Sequence, residues 1–366
     1  MNETMYAAKP LSVVVFTGRF GMGHCAAAEA VRQEILAGEP SARVQVMDVM
    51  DYLFPEASRR IYEAFGFLVK RCSWVYNLLN RAAGAKMNAP LQGTVVKKLD
   101  AILEGVDLVI ATLPLCSQYV SAYKRTRGSR IPLYIYITDV TIHQEWIAAG
   151  TDLYFVGAES SRDALAARGV DPGKIVVSGI PVKQCFKLPR RDEPHVGKRV
   201  LIMGGGLGLI PEADALLETL SIRDDLQVTL IAGHNKALAQ RVRERFPAVE
   251  TVGYTDRVSE YMRRADLVIT KSGGITTFEA IHSETPLYIL RPFLMQEVGN
   301  ARHIEQLGIG WVNWQRGILA TCNDVTALMN DDALLATMRR NMRAVKERWQ
   351  CSSPLPYFRA VPALCG

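Results

Sequence analysis

One short pattern occurs twice in this chain and constrains the fold more than any other feature. An apolar run leads into glycines and then into a helix-length amphipathic segment. In the first half the run is Leu11–Phe16, followed by TGRFGMGH and CAAAEAVRQEILAG; in the second it is Arg199–Met203, followed by GGGLG and PEADALLETL. Further strand-like runs come after each copy. They are VQVMDV, DLVIAT, PLYIYIT, LYFVG and KIVVSG in the first half, and QVTLIAG, VETVGY, DLVIT and PLYIL in the second. Runs rich in Val, Ile and Leu, separated by helix-length segments, specify parallel strands covered on both faces. The expected class is therefore α/β, with two Rossmann-like, doubly wound domains facing across a cleft at the carboxyl ends of their strands, where such sheets bind ligands. The polar segment Lys187–Lys198, KLPRRDEPHVGK, reads as the linker. Residues 1–187 are then a first domain, 188–345 a second, and 346–366 a C-terminal segment expected to cross back to the first domain.

Composition supports a globular chain of this kind. With 366 residues, 49% apolar and 22% charged, the chain has enough length for two ordinary cores. No run of apolar residues is long enough to span a bilayer. The N-terminal MNETMYAAKPLSVVVFTG lacks a basic leader region and reads as a first strand rather than a secretory signal. Seven cysteines without a CxxC pair suggest reduced thiols and a cytoplasmic location. Positive charge is concentrated in the first half, where residues 1–190 hold 22 Lys+Arg against 17 Asp+Glu. Residues 55–100 interleave Arg59, Arg60, Lys70, Arg71, Arg81, Lys86, Lys97 and Lys98 with aromatics such as Tyr62, Phe65, Phe67, Trp74 and Tyr76. This composition suits an anionic membrane surface or a lipid-bearing acceptor, with peripheral attachment at the inner face. A solvated helix with its aromatics turned to the core has the same periodicity. No nucleic-acid partner is expected.

Neither glycine turn is a dinucleotide fingerprint or a Walker A loop, and glycines after a first strand often serve only the turn. His24 gives the first turn chemical interest. An imidazole at a helix start is held neutral by the helix dipole and can take a proton from an alcohol, although a histidine that merely caps or packs there fits the same pattern. The richest segment is residues 266–300. A strand, DLVIT, opens into KSGGIT, whose backbone N–H groups at a helix start can cradle a diphosphate. Glu279 lies further along that helix, where a carboxylate can accept from ribose hydroxyls. After the strand PLYIL, the loop RPFLMQEVGN brings Gln296, Glu297 and Asn300, which carry groups suited to sugar hydroxyls.

These segments resemble the family 28 glycosyltransferases of the GT-B fold, and most nearly the processive diacylglycerol glucosyltransferases and the monogalactosyldiacylglycerol synthases. The resemblance runs through FTGRFGMGH, DLVIATLP, ITDVTIHQEW, VSGIPV, the GGG turn and GYTDRVSEYMRRADLVITKSGGIT. It implies an inverting transfer of a hexose from a UDP-sugar to an acceptor hydroxyl, most nearly that of a diacylglycerol-type lipid. His24 would be the base and Asp139 an acidic partner. Gly23, Gly204, Gly205, Gly206, Ser272, Gly273, Gly274 and Thr276 would surround the donor diphosphate, Glu279 the ribose, and Gln296, Glu297 and Asn300 the sugar. Phe20, His143 and Trp146 would lie on the acceptor side. Two departures stand out: Ser272 replaces the usual proline, and Met295 the usual glycine. No DxD pair occurs, so neither a metal nor any other cofactor is expected, the UDP-sugar being a substrate. The alternatives are a soluble acceptor, such as a natural product or cell-wall precursor, and a UDP-sugar sensor without turnover, which would have no need of His24.

Overall fold

The computed structural model describes residues 9–71, 92–190, 196–292, 294–314 and 317–360. Trp74, Tyr76, Arg81 and Lys86 of the basic–aromatic stretch lie outside the described residues.

The twofold pattern of the sequence becomes two six-stranded, wholly parallel sheets. The first is built from β1 (Ser12–Thr17), β2 (Arg43–Asp48), β3 (Leu108–Ala111), β4 (Leu133–Tyr136), β5 (Leu153–Val156) and β6 (Ile175–Val177), in the spatial order β2-β1-β3-β4-β5-β6. The second contains β7 (Lys198–Met203), β8 (Leu226–Ile231), β9 (Glu250–Val252), β10 (Leu267–Thr270), β11 (Leu287–Ile289) and β12 (Gly310–Val312), ordered β12-β11-β10-β7-β8-β9. Helices cover both faces, which is why the central strands are apolar without alternation: every residue of β3, β4 and β10 is buried. Each such Val, Leu or Ile contributes about 1.5–3 kcal/mol by leaving water.

Strand order fixes where a ligand can bind. Winding reverses between β1 and β3 in the first sheet and between β7 and β10 in the second. The loops leaving these four strands diverge to opposite faces and leave a crevice at each switch point. The glycine turn before His24 leaves β1, the GGG turn leaves β7, and KSGGIT leaves β10.

The two domains share an apolar seam. Ala27, Val140, Ala158 and Ile180 of the first pack in one cluster with Ile275, Phe278 and Ile281 of the second. The C-terminal chain crosses from the second domain to the first beside this seam. After the helix Asp332–Glu347, Trp349 stacks on Phe278 (centroids 5.3 Å apart) and covers Gly179. Gly179 has φ +74°, and a Cβ there would stand 2.9 Å from the indole. Gln350 then pairs with Val177 at the edge of β6, through its N–H (2.8 Å) and its Oε1 (3.0 Å), and the Tyr136 hydroxyl donates to the Ser352 carbonyl (2.8 Å). Gln350, Ser352, Leu355, Tyr357 and Phe358 thus pack on the first domain.

Candidate active site

His24 is the third residue of the helix Met22–Gly38, which starts after Gly21 at φ +106°, a backbone geometry that glycine adopts freely. Its Nδ1 lies 2.8 Å from the Thr112 carbonyl oxygen and 2.9 Å from the Thr138 hydroxyl. A carbonyl oxygen can only accept, so Nδ1 carries the proton and Nε2 keeps its lone pair. Thr112 follows directly on β3 and Thr138 lies two residues beyond β4, so residues at the strand ends fix the tautomer. The Thr112 hydroxyl also donates to the His24 carbonyl (3.1 Å). Burial holds the imidazole pKa below its usual 6.5; the Asp139 carboxylate and the Thr112 bond act against that shift. The shift runs in the direction expected from the sequence, and desolvation is its largest cause.

The second domain meets the helix start that carries His24 closely. Gly206, in the turn after β7, lies against Met22, so that a Cβ there would stand 2.7 Å from the Met22 side chain. Gly23 faces Ile275, and Gly274 abuts the Thr138 carbonyl. Gly273 caps the helix Gly274–Ser283, within which Thr276 is partly buried. Glu279, further along, has its carboxyl pushed up from 4.5 to about 7 by burial, with Lys183 partly offsetting the shift. Ser272, at the position of the usual proline, donates to the Glu297 carbonyl (2.7 Å), a bond that ties the two donor-side loops together.

The sugar-side trio divides. Gln296 is partly buried at the start of the helix Met295–Gln306. Glu297 is 3% exposed; it accepts from the Leu294 N–H at 3.4 Å and lies 3.5 Å from the Lys271 ammonium. Asn300 is 1% exposed, and its amide bonds Val140, Asp139 and Ser272. On the acceptor side, Phe20 packs on Tyr62 at 5.0 Å. Tyr62 donates to Asp48 (2.6 Å) and accepts from the Arg19 N–H (3.0 Å), fastening the helix Ser58–Arg71 to the loop that carries His24. His143 precedes a short 3-10 turn and is partly buried. Trp146 is only 2% exposed and stands 6.4 Å from His24, so it backs the imidazole from within the core and offers no open face to an acceptor.

Sequence reading missed three residues here. Thr112 and Thr138 are signalled only by their position within two residues of a strand end. Lys271 was within KSGGIT, but the loop was read for its small residues. Its Cε is the nearest neighbour to a Cβ built at Gly205, at 3.5 Å, which puts a cation beside the GGG turn. Among the described residues, no group of three or more His, Cys, Asp or Glu side chains could hold a metal ion. No described helix is long and apolar enough to cross a membrane.

Two switch-point crevices facing each other, with the helix start that carries His24 against the glycine loops of the other domain, give the GT-B arrangement. Comparison with known proteins agrees. Residues 24–182 match the monogalactosyldiacylglycerol (MGDG) synthase domain, and residues 200–348 the glycosyltransferase family 28 C-terminal domain. The chain thus carries a glycosyltransferase family 28 C-terminal domain behind an MGDG synthase domain. It is 27% identical over 360 residues to the processive diacylglycerol beta-glucosyltransferase of Bacillus licheniformis, covering 91% of each chain. The Bacillus subtilis enzyme of the same name is also 27% identical, over 90% of each. Among solved structures, Acinetobacter baumannii MurG has a TM-score of 0.62 at 16% identity, covering 96% of this chain and 98% of that one. A UDP-N-acetylglucosamine 2-epimerase also superposes, at 0.57 and 14% identity over 92% and 94%, so the fold by itself does not separate transferase from epimerase.

Proposed function

We propose that this glycosyltransferase moves a hexose from a UDP-sugar to the hydroxyl of a diacylglycerol-type lipid, with inversion and without a bound metal ion. The observation that carries this reading is the His24 tautomer: Nδ1–H is committed to Thr112, and Nε2 is left as acceptor beside the seam with the donor loop. Nε2 takes the proton from the acceptor hydroxyl as its oxygen attacks the anomeric carbon, from the face opposite the diphosphate. Backbone N–H groups of the turns at Gly204–Gly206 and Ser272–Thr276 receive the charge on the leaving group, joined by the start of the helix Gly274–Ser283. Glu279 accepts from the ribose hydroxyls, and Gln296 faces the sugar, with the buried Glu297 behind it holding Lys271. Closure of the two domains keeps water from the donor.

The lipid acceptor is supported by the similarity to diacylglycerol glucosyltransferases over nine-tenths of the chain. The basic helix Ser58–Arg71, fastened beside the base, supports an acceptor delivered from an anionic membrane surface. Calorimetric titration with UDP, with and without magnesium, tests the donor site. Magnesium-independent binding that is lost in Glu279→Ala is the expected result. UDP binding without transfer to any lipid or soluble acceptor would favour the sensor reading, and no binding would remove the proposal.

A further inference from the structure

Four successive residues of the first domain, Thr138, Asp139, Val140 and Thr141, lie along two helix starts of the second. A Cβ at Gly274 would stand 2.1 Å from the Thr138 carbonyl oxygen, and one at Gly299 would stand 1.7 Å from Thr141 Oγ1. Asn300 lies in the same seam. Its Oδ1 accepts from the Val140 N–H (3.1 Å), while its Nδ2 donates to Asp139 Oδ1 (3.3 Å) and to the Ser272 carbonyl (3.0 Å). Both amide hydrogens and the amide oxygen are therefore engaged within the protein. With 1% of the residue exposed, no face is presented to a sugar.

We propose that Asn300 is a positioning residue, an interdomain latch that sets His24 against the donor loop, and not a ligand of the sugar. The connection is short. The Thr138 hydroxyl meets His24 Nδ1 at 2.9 Å, while its carbonyl rests on Gly274 at the start of the donor helix. Asp139, whose charge acts to raise the basicity of His24, is held from the other side by Asn300. Ser272 joins the same network through its carbonyl to Asn300 and through its hydroxyl to Glu297, so the latch also links the sugar-side loop. A domain that has not closed leaves the base misplaced, and a misplacement of about 1 Å costs on the order of 100-fold in rate. Donor and base thus reach their working geometry in one movement, which limits loss of the donor to water while the cleft is open.

This inference rests on the transfer reaction proposed above, but part of its test does not. Two variants break the latch by different means. Asn300→Asp keeps the shape but turns an oxygen toward Asp139 and Ser272, both acceptors. Gly299→Ala adds a methyl against the Thr141 hydroxyl and leaves the Asn300 side chain itself unchanged. Interdomain distance is read by fluorescence energy transfer between labels on the two domains, beside UDP affinity, kcat and donor KM, with thermal unfolding to confirm folding. Both variants should lengthen the interdomain distance and lower kcat by about 10- to 100-fold, with UDP affinity changed by less than about threefold. Adding Thr141→Ala should restore most of the loss in Gly299→Ala. An unchanged distance, with the loss in Asn300→Asp confined to donor KM and none in Gly299→Ala, would make Asn300 a sugar ligand and overturn the latch. If the wild type fails to bind UDP, the reaction reading falls, and the distance measurement alone upholds or overturns the latch.

Discussion

Glu279 is held at a cost in stability, and the cost can be measured. Burial lifts its carboxyl from 4.5 to about 7, a rise of roughly 2.5 pH units. At 1.36 kcal/mol per unit, keeping this group ionised in the folded chain costs about 3 kcal/mol. The sign is opposite to that of a salt-bridged carboxylate. Between pH 4.5 and about 7 the folded state holds a proton that the unfolded state has lost, so stability falls as pH rises through that window and levels off above it. Glu279→Gln has no charge to bury. Its stability should match that of the wild type near pH 4.5 and exceed it by up to about 3 kcal/mol at about pH 8. Urea unfolding of both proteins across this range, followed on the transition of the second domain, measures the difference. A difference that stays flat with pH would mean the carboxylate is solvated or paired, and the reasoning from burial would be refuted. Stability retained by the same substitution that abolishes UDP binding would mark Glu279 as a residue kept for its ligand.

Other outcomes follow from the same geometry. Burial holds His24 below 6.5, so the acid limb of kcat/KM should have its midpoint below pH 6.5. Because Asp139 opposes that shift, Asp139→Asn should move the limb to still lower pH; a limb moving upward would contradict the pairing. Lys271→Met should weaken UDP about tenfold and leave uridine unchanged in calorimetric titration, since only UDP brings a diphosphate to the turn at Gly205. Equal losses for both ligands would deny Lys271 a phosphate role. Replacing the exposed Arg59 and Arg60 by glutamate should cut sedimentation with anionic liposomes by at least about 30-fold, at roughly 1 kcal/mol per basic residue removed, and leave neutral liposomes unaffected. Unaltered anionic binding would remove this helix from the proposed membrane face.

Both parallel sheets were legible in the sequence, save the three-residue edge strand Gly310–Val312, because buried parallel strands are continuous apolar runs, bounded here by glycine turns such as GRFGMGH and GGGLG. The chain could be cut into strands at Leu108–Ala111 or Leu267–Thr270 without knowledge of any partner. Residues of the site on loops with distinctive composition were also legible, as with Gly273 and Gly274. Contacts between domains were not. Nothing local marks Thr112 or Thr138 as partners of His24, since they are separated from it by 88 and 114 residues and meet it only once β1, β3 and β4 lie side by side. Asn300 and Trp146 were read by residue type, as a polar group for a sugar and an aromatic for an acceptor. In the folded chain, burial at 1% and 2% turns the first into a bridge between domains and the second into support behind the imidazole.

The measurement that bears most directly on the account is transfer from UDP-α-glucose or UDP-α-galactose to diacylglycerol in mixed micelles, with the anomeric configuration of the product read by NMR, beside the variant His24→Ala. A β-glycosyl lipid from the wild type, and at least about 100-fold less from the variant, is the expected result. An α-linked product, or full activity without His24, would contradict inverting transfer by a base at this position.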